Sequence, residues 1–224
     1  MLILAIDTSG RIASCSLFED GHERAYCYRD SQLDHSRTIL PLCHDMLEKE
    51  GLHFHDIDAF AAAVGPGSFT GIRIGVAAVK GFALSGNKPA AGISTLEAAA
   101  AEVMEEGLVC SIIRAREDEY FYAFFRRERG ELFRICPDGC LLGKELKALL
   151  YGATWRLCGD GASDFFEKYP CKNATLTDIV QNARGVAACA WELAQCDSLS
   201  DGDEIVPVYL KKTQAERMRE EKLK

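Results

Sequence analysis

Hydrophobic and polar positions along the chain follow two periods, and the switches between them divide it into strands and helices. Residues 2–6 (LILAI) are continuously apolar and end in Asp7-Thr8-Ser9-Gly10, which reads as a buried strand entering a polar turn. Residues 13–18 alternate small or polar with apolar, Glu19-Asp20-Gly21 breaks the run, and 24–29 form a third short strand, giving a meander built by hairpins. Ile39, Leu40, Leu42, Cys43, Met46 and Leu47 then recur at helical spacing. Asp34 or Ser36 can cap this helix, Pro41 falls near its first turns and Gly51 ends it. A strand at 58–64, a helix at 70–86, a short strand near 90–94 and a helix at 95–106 follow. From residue 109 the pattern begins again, with strands at 109–115, 120–127 and 131–136, a helix at 143–151 and a strand at 155–158. The turn Gly159-Asp160-Gly161 leads into a helix at 162–168, and a long helix spans about 178–196 with Val186, Ala187, Ala190, Leu193 and Ala194 on one face. The order βββαβαβα is a ribonuclease-H-like plan: an antiparallel start, then parallel strands joined by helical crossovers. It is duplicated, with an abbreviated second copy. The expectation is an α/β protein with lobes at 1–106 and 107–210. A tail at 211–224 follows, where Lys211, Lys212, Arg217 and Arg219 alternate with Glu216, Glu220 and Glu221 in a solvated pattern.

Composition narrows the function classes. The 224 residues are 48% hydrophobic, enough for a substantial core in one large domain or two small ones. A net charge of −8 argues against a free-standing nucleic-acid binder but leaves room for a subunit of a larger nucleic-acid-handling assembly. The N-terminal apolar run has no basic flank and is too short for a signal peptide, and no run approaches the roughly 18 apolar residues that span a membrane. The expected compartment is the cytosol, where the ten cysteines stay reduced. No CxxC pair occurs, and Cys15, Cys27, Cys43, Cys110, Cys158 and Cys189 fall in apolar runs as ordinary buried thiols.

Candidate chemistry concentrates at residues 65–75, GPGSFTGIRIG. Gly65 and Gly67 allow backbone angles closed to other residues, Pro66 stiffens the turn, and Ser68 or Thr70 can cap the helix that follows. Such a turn can cradle an anion, and it can equally be a tight connection that brings two helices together. Asp7, Thr8 and Ser9, with Gly67 and Ser68, are the candidate nucleotide or anion turn; the alternative is a capped polar turn, and the chain offers no clear second acid. Helix 70–86 carries two apolar stripes, Gly71/Gly75/Ala78/Phe82 and Ile72/Val76/Val79/Ala83, which implies burial on both sides. One side can face this chain's own sheet. The glycine stripe permits close approach of another helix, either from this chain or from a second protein. On the second alternative the partner surface comprises Gly71, Ile74, Gly75, Ala78 and Phe82, with Ile39, Leu42, Cys43 and Met46 from helix 35–50. Arg73 can bind an anion or cover apolar surface with its stem. HxxxH, HExxH, GxSxG and P-loop patterns are all missing, so no catalytic residue and no metal ligand is assigned.

The segments ILAIDTS at the start, HSRTILP at 35–41, AVGPGSFTGIRIG at 63–75, the run to Ala98 and PVYL at 207–210 closely resemble the TsaB family, formerly YeaZ. These are bacterial subunits of tRNA threonylcarbamoyladenosine (t6A) biosynthesis. The resemblance implies an actin-like (ASKHA) two-lobed fold with mixed sheets flanked by helices. It implies a role in adding threonylcarbamoyl to N6 of adenosine 37 in tRNAs that read ANN codons. Such proteins are degenerate paralogues of the catalytic subunit TsaD and bind it as a heterodimer through helices 35–50 and 70–86; an ATPase subunit, TsaE, joins the pair. The resemblance therefore implies a non-catalytic scaffold that meets tRNA, ATP or ADP, and Mg only within the complex. The metal-binding HxxxH of the catalytic paralogue falls on Thr95 and Ala99 here, and the family's IDAR reads Ile113-Arg114-Ala115-Arg116, with arginine in place of the acid. Two alternatives stand beside this one. One is an independent actin-like ATPase, kinase or peptidase. The other is a homodimer that covers the same helices when the partner is absent.

Overall fold

The computed structural model describes residues 1–30 and 34–211, so most of the charged tail expected at 211–224, from Lys212 onward, lies outside the described residues. The first sheet has the order β3-β2-β1-β4-β5, built from β1 (Leu2–Asp7), β2 (Ile12–Glu19), β3 (His22–Asp30), β4 (Ala59–Gly65) and β5 (Ala90–Ser94). β1 is central, antiparallel to β2 and parallel to β4, and all of its residues are buried. Its two faces feed two cores. Leu2, Leu4 and Ile6 pack under α1 (His35–Lys49) and α2 (Phe69–Gly86), while Ile3 and Ala5 pack against residues that follow position 183. Burial on both faces is why the strand reads as a continuous apolar run.

After α3 (Thr95–Ala101) the plan repeats. β6 (Gly107–Arg116), β7 (Glu119–Glu128), β8 (Glu131–Arg134), β9 (Gly139–Leu142), α4 (Gly143–Leu149), β10 (Trp155–Cys158), α5 (Ala162–Lys168), β11 (Ala174–Leu176) and α6 (Ala183–Gln195) follow in order. The second sheet runs β11-β10-β6-β7-β8, the counterpart of the first, with β9 as an additional partner of β7. The second copy is complete rather than abbreviated. The expected strand 131–136 ends at Arg134, a further short strand that the sequence did not show follows at Gly139–Leu142, and the expected helix 178–196 begins only at Ala183, where the Asn182 side chain accepts the Arg184 N–H at 2.7 Å. The helix expected at 95–106 ends at Ala101 because a side chain from β7 stops it. Arg127, 6% exposed, donates to the carbonyls of Val103, Ala100 and Ala101 at 2.9, 3.4 and 2.6 Å.

α3 and α6 lie between the two sheets. Ala98 belongs to the core of the first sheet, and Leu96, Ala99 and Ala100 to that of the second. The chain also returns to the first lobe after β11. α6 packs on β1, Ser200 exchanges hydrogen bonds of 2.8 and 2.9 Å with Ala90, and the Val208 N–H donates to the Val64 carbonyl at 2.8 Å. The boundary at 106/107 therefore separates the sheets, whereas residues 183–208 join the first lobe rather than a C-terminal lobe reaching 210. This duplicated, two-lobed arrangement is actin-like. All ten cysteines are free thiols.

The lobes are held by the crossing of α3 and α6, where Gly185 backs directly onto the Ala98 carbonyl and leaves no room for a side chain. Gly185→Val is expected to lower stability by about 2–4 kcal/mol, the range of severe packing defects, read as the urea unfolding midpoint. An unchanged midpoint would contradict the contact.

Candidate functional site: the interlobe cleft and the outer helix face

The end of β1 forms one wall of the cleft. Asp7 is 2% exposed, its Oδ1 accepts the Ser9 N–H at 2.7 Å, and its Oδ2 and the Ser9 Oγ are buried without a hydrogen-bond partner. Thr8 Oγ1 donates to the Gly71 carbonyl at 2.7 Å, and the Ser68 N–H donates to the Ser9 carbonyl at 2.7 Å. Ser68 Oγ accepts the Gly71 N–H at 3.3 Å, so Ser68 rather than Thr70 caps α2. The opposite wall is the Gly159-Asp160-Gly161 turn. Gln181 accepts the Asp160 N–H at 3.1 Å and donates to Asp160 Oδ2 at 2.7 Å, and the Arg114 N–H lies 3.4 Å from Oδ1. Asp160 is close enough for its charge to act on Asp7. The second acid, which sequence reading did not find, is therefore present. A cavity of about 300 Å3 between the walls is lined by Gly10, Arg11, Asp30, Asp160, Val180 and Gln181.

The glycines of these turns test whether a phosphate fits. A Cβ on Gly67 (φ +157°) would lie 2.6 Å from the Ser9 carbonyl oxygen, and one on Gly161 2.6 Å from the Arg114 nitrogen. Gly71 abuts the Thr8 carbonyl, and a Cβ on Gly75 would come within 2.6 Å of Thr8 Oγ1. The room that these glycines create is filled by this chain's own backbone and turn. The Ser9, Ser68 and Gly71 N–H groups are likewise engaged within the chain. This does not fit a directly bound polyphosphate. Arg114, in place of the family's acid, has its guanidinium 3.7 Å from Asp164. Among the described residues no group of three or more His, Cys, Asp or Glu side chains is arranged to hold a metal ion. Thr95 and Ala99 are fully buried.

Burial sets the protonation of the cleft floor. It raises the Asp7 carboxyl above its ordinary value, opposed by Ser9, whose N–H it accepts, and reinforced by Asp160. It raises Asp160 as well, against the hydrogen bonds from Gln181 and Arg114. Glu102, just beyond α3, is pushed up to about 7 by burial, against the attraction of Arg184 and a 2.7 Å hydrogen bond from Asn182 Nδ2.

The second candidate is the surface of α1 and α2, which lie side by side over the first sheet. Ile39, Leu42, Cys43 and Met46 are 1%, 7%, 0% and 1% exposed and belong to this chain's own core. Gly71 and Gly75 are buried against Thr8. In the chain on its own these six positions are therefore turned inward, where the sequence expectation places them on an outer surface. Ile74, Ala78 and Phe82 are half-buried, and Phe82 stacks on Phe54 at 4.5 Å. The outward residues include Leu40 and Pro41 on α1, beside the polar Arg37, His44, Asp45 and Glu48, and Arg73, Ala77, Gly81 and Leu84 on α2. A Cβ on Gly81 would meet nothing within 4 Å, so this glycine opens a shallow gap towards solvent. Sequence reading missed Ala77, Gly81 and Leu84. Their signal was a spacing of i, i+4 and i+7, hidden in a helix that is apolar on every side.

Residues 29–158 match the family model described as TsaD, tRNA N6-adenosine threonylcarbamoyltransferase, which places the chain in that class of actin-like proteins. Within the class, the chain belongs to the TsaB family. It is 31% identical over 227 residues to the tRNA threonylcarbamoyladenosine biosynthesis protein TsaB of Haemophilus influenzae, covering 94% of each chain. The Escherichia coli protein of the same name is 35% identical over 153 residues, and that match spans 67% of this chain and 62% of the relative. The solved structure of YeaZ from Pseudomonas aeruginosa superposes with a TM-score of 0.84 at 26% identity, covering 93% of this chain and 99% of that one.

The Glu102 carboxyl gives this floor a pH signature. With a folded value of about 7 against an ordinary 4.5, the group imposes no penalty below the unfolded value, and stability is lost as pH rises through 7. Glu102→Gln is expected to leave the melting temperature near wild type at pH 4.5 and to raise it at pH 8, with a ceiling of about 3 kcal/mol. Equal melting temperatures at pH 8 would show that the carboxylate is not desolvated.

Proposed function

We propose that this chain is a non-catalytic activating subunit that heterodimerises with a TsaD-type catalytic subunit through the outer face of α1 and α2. The complex transfers threonylcarbamoyl to N6 of adenosine 37 in ANN-reading tRNAs. The observation that carries this reading is the stripe Leu40, Pro41, Ala77, Gly81 and Leu84. Leu40 is 47% and Leu84 59% exposed, and Gly81 leaves space in which a partner helix could pack closely. The similarity to the tRNA threonylcarbamoyladenosine biosynthesis proteins TsaB supports the pathway. The cleft supports the absence of nucleotide turnover by this chain, because its glycines and N–H donors serve its own turns. ATP or ADP, Mg and the ATPase subunit TsaE then enter through the complex, and a net charge of −8 leaves tRNA contacts mainly to the partners. Without the catalytic subunit, the same exposed stripe favours a homodimer.

Gly81→Glu and Leu84→Asp test the reading on residues that this chain's core does not use. Gly75 is unsuitable, since a side chain there would strike Thr8. Both variants are expected to keep the wild-type melting temperature, scatter light as monomers and lose co-purification with the catalytic subunit. They should also fail to support tRNA modification in reconstitution. Variants that still co-purify would sink the interface. ATP hydrolysis by the isolated chain, abolished by Asp7→Ala, would favour the independent enzyme instead.

A further inference from the structure

The segment Pro207–Leu210 contributes little to the core, with Val208 and Tyr209 43% and 41% exposed, yet it is firmly tied down. Ile205 is 4% exposed beneath α2, Lys80 Nζ donates to the Asp203 and Ile205 carbonyls at 2.7 and 3.2 Å, and Val208 is bonded to Val64 at 2.8 Å. What this anchoring delivers is the Tyr209 ring, stacked on Phe69 with centroids 4.7 Å apart. Arg73 completes the group. Its guanidinium carbon sits 3.8 Å from the Phe69 centroid, and its Nε–H donates to Tyr209 Oη at 2.7 Å. Nη1 and Nη2 have no partner among the described residues, and no acidic side chain among them pairs with Arg73.

Holding an exposed arginine still costs side-chain entropy. Here one edge and one face are spent on the holding, and the two-nitrogen end that grips planar anions is left open. Such a fork is ready to take two oxygens with little further loss of freedom. We propose that Arg73, clamped by Phe69 and Tyr209, is the anchor of the α1/α2 surface and receives a carboxylate of the partner protein. This rests on the heterodimer reading above and names the chemistry of its polar contact. Phosphate is disfavoured by the surroundings. Tracking a nucleic-acid backbone takes several cations, and the nearest lysine on the helix, Lys80, is committed to two carbonyls. Down the helix lie Ala77, Gly81 and Leu84 instead, so the arginine stands at the end of an apolar stripe, a common composition for the centre of a protein interface.

The test is a binding titration between this chain and the nuclease-treated catalytic subunit. Arg73→Ala is expected to weaken the heterodimer about 30-fold, the loss typical of an interface anchor. Arg73→Lys should recover only part of the affinity, because lysine keeps the charge without the fork. Tyr209→Phe should weaken binding several-fold by freeing the guanidinium, and the melting temperatures of all three should match wild type. Raising salt should weaken wild type more than Arg73→Ala. If wild type binds and Arg73→Ala binds equally well, the anchor is refuted and the heterodimer stands. If wild type does not bind, both fall. If the isolated chain binds tRNA and loses it on Arg73→Ala, the ligand is phosphate and the carboxylate assignment is overturned.

Discussion

The close seating of α2 on the end of β1 is the constraint from which most of the remaining geometry follows. Thr8 reaches across to the Gly71 carbonyl at 2.7 Å, and Gly67, Gly71 and Gly75 present bare backbone where Ser9 and Thr8 press against them. No larger residue fits there without pushing the helix off the sheet. With α2 fixed at this distance, Ile72, Val76, Val79 and Ala83 reach the core under the first sheet, and α1 fills the space beside it. The side of α2 turned to solvent is thereby settled, and so are Arg73, Ala77, Gly81 and Leu84. Of the two readings open to this segment, an anion cradle or a tight connection, the packing is that of a tight connection that orients a surface.

The same economy of space operates between the lobes. Gly185 against Ala98 lets α3 and α6 cross closely, and Arg127 finishes α3 from the opposite sheet by taking its last two carbonyls and that of Val103 just beyond. This brings Asp7, Asp160 and Glu102 towards a common floor, where burial raises all three carboxyls. Like charges buried near one another favour protonated forms. What opposes a directly bound polyphosphate is steric: the turn glycines are filled by this chain's own backbone, and the Ser9, Ser68 and Gly71 N–H groups are engaged within the chain.

How much of this was legible in the sequence depends on the scale of the feature. Long periodic segments, β1 to β4 and α1 and α2, stand out because burial imposes a period of two or of 3.6 on many residues. β9 and β11, with four and three residues, are too short to show a period and are specified by the strands beside them. The end of α3 was illegible because its stop signal, Arg127, lies on another strand. Asp160 was visible as a turn residue, but its proximity to Asp7 is a property of the duplicated fold and not of either segment. The burial of Ile39, Leu42, Cys43, Met46, Gly71 and Gly75 was hidden for a related reason. Apolar content identified α1 and α2 correctly as crowded helices, but it does not say which stripe faces inward. Gly75 and Gly81 look alike in the sequence and differ in the fold: one is filled by Thr8 and the other is open.

That difference also accounts for the last described segment of the chain. Extending from α6 past β5, it buries Ile205 beneath α2, ties Lys80 through two carbonyls and places Tyr209 beside Phe69 and Arg73. Stability alone would be served by the Ile205 contact, with the chain free to leave afterwards. Continuing through Val208 to Tyr209 adds exposed apolar surface, which an isolated protein gains nothing by showing. It does immobilise a guanidinium that has no acidic partner among the described residues. On the heterodimer reading proposed above, a surface that combines a pinned cation, a small-residue stripe and a solvent-facing gap is what the second protein would cover, while the interior glycines serve this chain's own packing.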